Sequence, residues 1–357
     1  MSYQWQVESG ELFDERYAQM VRTGLPVADV DAVRSSVADM WTDGPGGWVH
    51  EWSELAASYA GAGSHQQAAL AYGWAKFPAL ADDAKRSALR HQLEQYLLAA
   101  PAFGVEFRRD VLILPHRGTT TDVPVHTFAA PGLPANVPVV LASGGVDTWK
   151  MDVHGILVAL AVNLRARIVA FDIPGTGEST VPMSADGGAE IIRALIDHAR
   201  ALGNGVVVHL GISMGGHFSA RSGLAGEVDA AVVLGGPVEN AFTTGGIGRF
   251  GMAGIVGNAL GFSQEPAPDE LSARLASFSL RALLDDDRNV PMLVINGADD
   301  VHVPQHDTLV FEGRRDTVVH LLPDTGHCAI SKLAEVIPAI VSWTSEQLAA
   351  SASAVPA

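Results

Sequence analysis

The chain has 357 residues, 48% hydrophobic and 18% charged, which is enough for a large core plus a further module. Its net charge of −17, from 23 basic and 40 acidic residues without a Lys/Arg cluster, argues against nucleic acid and anionic membrane surfaces as partners. A single cysteine, Cys328, excludes an internal disulfide. The start Met1-Ser2-Tyr3-Gln4-Trp5 lacks a secretory pattern, and no apolar run reaches the ~18 residues of a membrane span, so a cytoplasmic protein is expected.

Residues 1–103 show helical periodicity throughout. Phe13, Tyr17, Met20 and Val21 make one apolar stripe, and Val30, Val33, Val37, Met40 and Trp41 make a second. Trp48, Trp52, Leu55, Ala56 and Tyr59 form a third; Leu89, Leu93, Tyr96, Leu97 and Ala100 form another, stopped by Pro101. Five of the seven tryptophans lie here, at 5, 41, 48, 52 and 74. Helix packing is their ordinary role; lining an aromatic substrate pocket beneath a helical cap is the sharper one.

From 104 to 357 the texture changes to apolar, β-branched runs alternating with helical stretches. The runs are Val111–Leu114, Val123–Phe128, Val137–Leu141, Arg167–Phe171, Val206–Leu210, Ala230–Leu234, Met292–Ile295 and Val318–Leu321. Helical patterns fall at 152–165, 186–202, 214–225, 304–313 and 328–349. The first two runs have no helix between them and predict an antiparallel hairpin. The later ones are continuously apolar, as in strands covered on both faces. The expectation is an α/β fold with a mostly parallel eight-stranded sheet flanked by helices. Residues 240–285 interrupt the alternation and read as a lid insertion.

Gly211-Ile212-Ser213-Met214-Gly215 matches G-x-S-x-G between the run Val206–Leu210 and a helical stretch, the strand–turn–helix setting of a nucleophile elbow. A serine hydroxyl needs a base to take its proton and a carboxylate to orient that base. The carboxylate belongs at the end of a late strand. Asp299 and Asp300 compete there, and Asp300, three residues after Gly297 and four before Pro304, fits the loop better. His327, after the last run and preceded by Gly326, is the candidate base, giving the order Ser…Asp…His. Cys328 beside it reads as a packed thiol. The oxyanion requires two backbone amides: Met214, next to the nucleophile, and Val146, with Gly145 as second choice, in the glycine-bearing loop Gly144–Asp147.

No cofactor or metal is called for. His302 and His306 could share a helix face, but no third ligand is evident and no H-E-x-x-H occurs. Asp172–Ser179 follows a strand yet lacks the third glycine of a dinucleotide loop. Gly246-x-Gly248-x-x-Gly251 has all three but follows a polar loop instead of a strand.

These residues resemble the α/β-hydrolase superfamily over about 104–350. More narrowly, the helical N-terminal domain, Gly144-Gly145-Val146-Asp147-x-x-Lys150, Asp172-Ile-Pro-Gly-Thr-Gly-Glu-Ser179 and Gly235-Gly-Pro-Val238 resemble the fermentation-respiration-switch-protein-like group. That group includes esterases and carbon–carbon bond hydrolases such as dihydroxypseudooxynicotine hydrolase and fungal polyketide-shortening enzymes. The resemblance implies a helical cap over an α/β-hydrolase domain and a small-molecule substrate, with Trp149, Lys150 and Glu239 as candidate contacts. Relatives often carry a histidine where Glu239 stands, so the polar contact there would differ. Cleaving the carbon–carbon bond of a β-dicarbonyl, polyketide-like or aromatic ketone substrate through an acyl-enzyme on Ser213 is the expectation. Ester hydrolysis, acyl transfer to an acceptor other than water, and a catalytically idle binding protein are the alternatives. A homodimer through the helical domain is compatible with its aromatic content.

Overall fold

The computed structural model describes residues 3–243 and 250–354. In chain order the helices α1 (Ser9–Arg22), α2 (Val27–Ser36), α3 (Trp48–Gly61), α4 (His65–Lys76) and α5 (Asp83–Ala99) come first. Then follow β1 (Glu106–His116), β2 (Thr119–Ala129), β3 (Val139–Ser143), α6 (His154–Asn163), β4 (Arg167–Phe171), α7 (Ala185–Leu202), β5 (Val207–Ile212), α8 (Met214–Leu224) and β6 (Ala230–Leu234). The short helices α9 (Asn240–Thr243), α10 (Met252–Ala259), α11 (Pro268–Leu275) and α12 (Arg281–Leu284) precede β7 (Met292–Gly297), α13 (Gln305–Leu309), β8 (Thr317–Leu322) and α14 (Leu333–Ala354).

The chain divides into two compact units. One holds Met1–Gly104 together with the described part of Gly248–Pro266; the other holds the remainder. The helical unit is built on its tryptophans. Trp48 and Trp52 are fully buried and pack with Phe13, Trp74 and Phe77 in one cluster. Trp48 donates its indole N–H to the Trp74 carbonyl at 2.7 Å, so the ring's one polar atom is satisfied inside the core. Asp82 caps α5 by accepting from the Lys85 amide at 2.8 Å. Helix α10 joins this unit through its glycines. A Cβ on Gly254 would stand 2.2 Å from the Trp5 ring, and one on Gly257 would stand 2.5 Å from the Tyr3 hydroxyl. The stretch expected as a single lid insertion, 240–285, is therefore divided: α10 packs with the N-terminal segment, while α9, α11 and α12 belong to the sheet unit.

The sheet unit has eight strands in the order β1-β2-β4-β3-β5-β6-β7-β8. The β1–β2 and β2–β4 pairs are antiparallel and all the others are parallel. Every residue of β3, β6 and β7 is buried, which accounts for their unbroken apolar sequences. The edge strand β8 alternates instead, with Val318 exposed. Strands β1 and β2 run longer than their apolar cores, pairing from Glu106↔Ala129 to His116↔Thr119 as a hairpin. The last helix starts at Leu333, not at 328, because Cys328 and Ala329 take left-handed backbone angles, with φ of 55° and 48°. No helix among the described residues is long and apolar enough to cross a membrane. The Gly246–Gly251 motif lies largely outside the described residues.

Candidate active site

The site grows from the carboxyl ends of the parallel strands, where β5 turns directly into α8. Ser213 sits on that turn with φ 57° and ψ −125°, a conformation that side chains rarely adopt. Its amide is held by the Leu234 carbonyl of β6 at 2.7 Å. The flanking glycines are steric requirements. A Cβ on Gly211 would stand 2.0 Å from the Gly215 carbonyl oxygen, and one on Gly215 would stand 2.4 Å from the Gly144 oxygen. The same turn brings the loop after β3 against the serine: a Cβ on Gly145 would stand 2.9 Å from Ser213 Oγ.

His327 reaches the serine across 114 positions of sequence, its Nε2 lying 2.9 Å from Ser213 Oγ. Its Nδ1 is 2.7 Å from Asp300 Oδ2. Because a carboxylate only accepts, Nδ1 carries the proton and Nε2 is left to accept from the serine hydroxyl. The positive φ of Cys328 turns the chain immediately behind the ring. Asp300, three residues beyond β7, has a fully buried side chain. Its Oδ1 accepts from the amides of His302 (2.8 Å) and Val303 (3.1 Å). Asp299 is placed differently, its amide bonding to the Thr325 carbonyl.

Burial opposes ionisation of Asp300, but hydrogen bonds from His327, Asn296 and the His302 amide outweigh it and hold the carboxyl below the usual range. Removal of the His327 ring from bulk water works against the imidazolium. The neighbouring Cys328 sulfur and the Asp300 carboxylate more than offset this, so its pKa lies well above that of an ordinary histidine.

Asn296 has a part that its sequence did not announce. Fully buried on β7, it donates to Asp300 Oδ2 at 2.8 Å and accepts from the Cys328 amide at 3.0 Å. One side chain thus steadies both the carboxylate and the backbone beside the imidazole. Asn296-Gly297 reads as a turn pair, which hides this role. The buried Asp307 is a second such residue. It accepts amides from Val238, Glu239, Asn240 and Ala241 at 2.7–3.2 Å and fixes the chain leaving β6.

Four expected site residues are placed differently from their sequence-based roles. Gly145 is not a free oxyanion donor, since its amide bonds to the Thr148 carbonyl at 2.8 Å; Val146 and Met214 remain for that position. Lys150 is not offered to a substrate. It is wholly buried, its Nζ 2.5 Å from Asp172 and 2.8 Å from Glu178, because a buried ammonium requires anionic partners. Trp149 is 3% exposed and donates its indole N–H inward to the Val146 carbonyl at 3.1 Å. The Glu239 carboxylate accepts from Ser279 Oγ and lies 3.9 Å from the Arg281 guanidinium, both within its own unit. Trp48 and Trp52, as core residues without exposure, cannot line a substrate pocket. Among the described residues no group of three or more His, Cys, Asp or Glu side chains could hold a metal.

Sheet order and the serine-bearing turn together define a protein of the α/β-hydrolase fold, and residues 137–287 match the family model described as alpha/beta hydrolase fold. Among solved structures, the crystal structure of the 2,6-dihydroxy-pseudo-oxynicotine hydrolase is similar, with a TM-score of 0.76, 19% identity, and coverage of 94% of this chain and 96% of that one. AbyA5 is similar to the same degree: TM-score 0.76, 21% identity, 95% and 98% covered. A thermostable esterase from Pseudomonas putida ECU1011 matches less of the chain, 73%, with a TM-score of 0.51 and 16% identity. No curated protein shows significant sequence similarity to the chain.

Proposed function

We propose that this protein is a serine hydrolase that cleaves a bond activated by an adjacent carbonyl. The observation that carries the reading is the continuous relay Ser213 Oγ–His327 Nε2, His327 Nδ1–Asp300 Oδ2, at 2.9 and 2.7 Å. Ser213 Oγ attacks the carbonyl carbon while Nε2 of His327 takes its proton. Asp300 keeps the imidazole in the required tautomer and supports its positive charge. The amides of Met214 and Val146 receive the oxyanion, an interaction worth about 3–4 kcal/mol per donor in enzymes of this kind. Collapse of the tetrahedral adduct expels the leaving group, which takes the proton back from His327. Water, deprotonated by the same ring, then releases the acyl group and restores Ser213.

The bond is either the carbon–carbon bond of a β-dicarbonyl, whose leaving group is a stabilised enolate, or an ester, whose leaving group is an alcohol. The near full-length likeness to a 2,6-dihydroxy-pseudo-oxynicotine hydrolase, against partial likeness to esterases, supports the first. Trp48, Trp52 and Trp74 of the helical unit lend it no weight, being core residues.

Two measurements test the reading. A fluorophosphonate should label Ser213, and Ser213→Ala should abolish both labelling and turnover with an almost unchanged melting temperature. A wild-type protein that takes no label at Ser213 would instead be a catalytically idle fold. For the bond, aromatic β-diketones should turn over faster than short p-nitrophenyl esters, and the reverse order would make the protein an esterase.

A further inference from the structure

The buried lysine has no place in the chemistry above, yet it sits at the end of the loop that carries the second oxyanion donor. We infer that Lys150, with Asp172, Glu178 and Trp149, is a clamp that positions the Val146 amide. This rests on the reading of Ser213 as nucleophile and extends it to the loop opposite.

The loop runs from Ser143, the last residue of β3, to Lys150, and it is pinned at every turn. Asp172, one residue beyond β4, accepts from the Lys150 amide at 2.9 Å through Oδ1. Through Oδ2 it accepts from Lys150 Nζ at 2.5 Å and from the Glu178 amide at 2.9 Å. The carboxylate leaves no room beside it, since a Cβ on Gly177 would stand 2.1 Å from Oδ2. Glu178 then bridges Lys150 to Arg109 on β1, at 2.8 and 2.6 Å. The four charges, two of each sign, balance. That balance lets a fully buried ammonium persist, and removing one member leaves its partner uncompensated.

Within the loop, the two peptides that flank the one joining Gly145 to Val146 are both tied down. The Gly145 amide bonds to the Thr148 carbonyl at 2.8 Å, and the Val146 carbonyl accepts from the Trp149 indole at 3.1 Å. Trp149 is itself fixed by its amide on Asp152 Oδ2 at 2.7 Å, next in sequence to the anchored Lys150. The one N–H of that peptide is Val146's own, in a loop whose Gly145 lies against Ser213 Oγ. An oxyanion donor stabilises the transition state only when it is aimed before charge develops, so rigidity here is catalytic value and not merely stability. These are positioning residues, since none touches the reacting atoms.

The test uses the full-length protein with a short p-nitrophenyl ester and, as a tetrahedral mimic, an aryl boronic acid. Trp149→Phe removes the indole hydrogen bond and keeps a smaller aromatic ring. It should lower kcat about 3- to 10-fold and weaken boronate binding by the same factor, with KM within about twofold. Lys150→Met should lower both by about 100-fold, provided it melts cooperatively; if it does not fold, Trp149→Phe decides alone. Equal kcat and boronate affinity in Trp149→Phe and wild type overturn the clamp, as does a loss confined to melting temperature. Turnover by Ser213→Ala would overturn the underlying nucleophile assignment instead, so the two failures are distinguishable.

Discussion

At the scale of single residues, the pH dependence should expose the relay. His327 must be neutral to act as a base, and its pKa lies above the ordinary histidine value. The protonated, inactive form therefore persists to a higher pH than usual. The expected outcome is a kcat/KM that rises with pH through an inflection above about 6.5, the reference for a free imidazole. Asp300→Asn removes the carboxylate that draws the proton onto the ring and the acceptor that selects its tautomer. It should shift the inflection down and cut kcat by about 10⁴-fold. Rate profiles of the two proteins between pH 5 and 9 check this. An inflection at the same pH in both would show that Asp300 does not govern the base. Asp300 was legible because a Gly-x-x-Asp-x-x-x-Pro loop is a local pattern. Asn296, only four residues before it, was not, because its two bonds reach Asp300 and Cys328 only after the chain has folded.

At the scale of elements, the β5–α8 turn is tolerant of neither flanking residue. Gly211→Ala would push a methyl to 2.0 Å from the Gly215 oxygen, which is main chain and cannot rotate away as a side chain can. Overpacking typically costs 1–3 kcal/mol, and against backbone the cost should reach or pass about 3 kcal/mol. Urea midpoints should fall accordingly, and fluorophosphonate labelling of the remaining folded fraction should slow as the hydroxyl is displaced. A wild-type midpoint together with a wild-type labelling rate would show the turn to be looser than its geometry implies. The apolar runs announced all eight strands, most plainly β3, β6 and β7, where burial on both faces leaves little choice of residue type. Their ends were less legible: the β1–β2 hairpin extends through polar residues such as Thr119 and Thr120, held by pairing and not by burial.

At the scale of the whole molecule, the helical unit carries an unusual electrostatic cost. Lys85 is fully buried, its ammonium donating to the Phe77 carbonyl at 2.6 Å. Burial is the main cause that brings its pKa down to about 7, with Lys76 adding and Asp82 opposing. In the unfolded chain the same group titrates near 10.4. Between these values the unfolded state binds more protons, so stability rises with pH from about 7 to 10. The difference spans several kcal/mol at most, on the order of 1.4 per unit. Wild-type melting temperature should therefore climb over this interval relative to that of Lys85→Met, which fills the same space without a charge. Parallel curves for the two proteins would mean that the ammonium is solvated in the folded state.

The sequence by itself determined what is written in short windows. These are the alternation that forces a parallel sheet, the glycines that the serine turn demands, the glycine ahead of the histidine and the late aspartate loop. Only the tertiary structure decided the rest. It made Lys150 an internal counterion instead of a substrate contact, turned Trp48, Trp52 and Trp74 into core, and gave the Met252–Ala259 helix to the N-terminal unit. The reason is physical. Backbone preference and face burial act on neighbouring residues, whereas the partner of a buried charge or a bulky ring is whichever group folding brings within a few ångströms, and that group can lie anywhere in the chain.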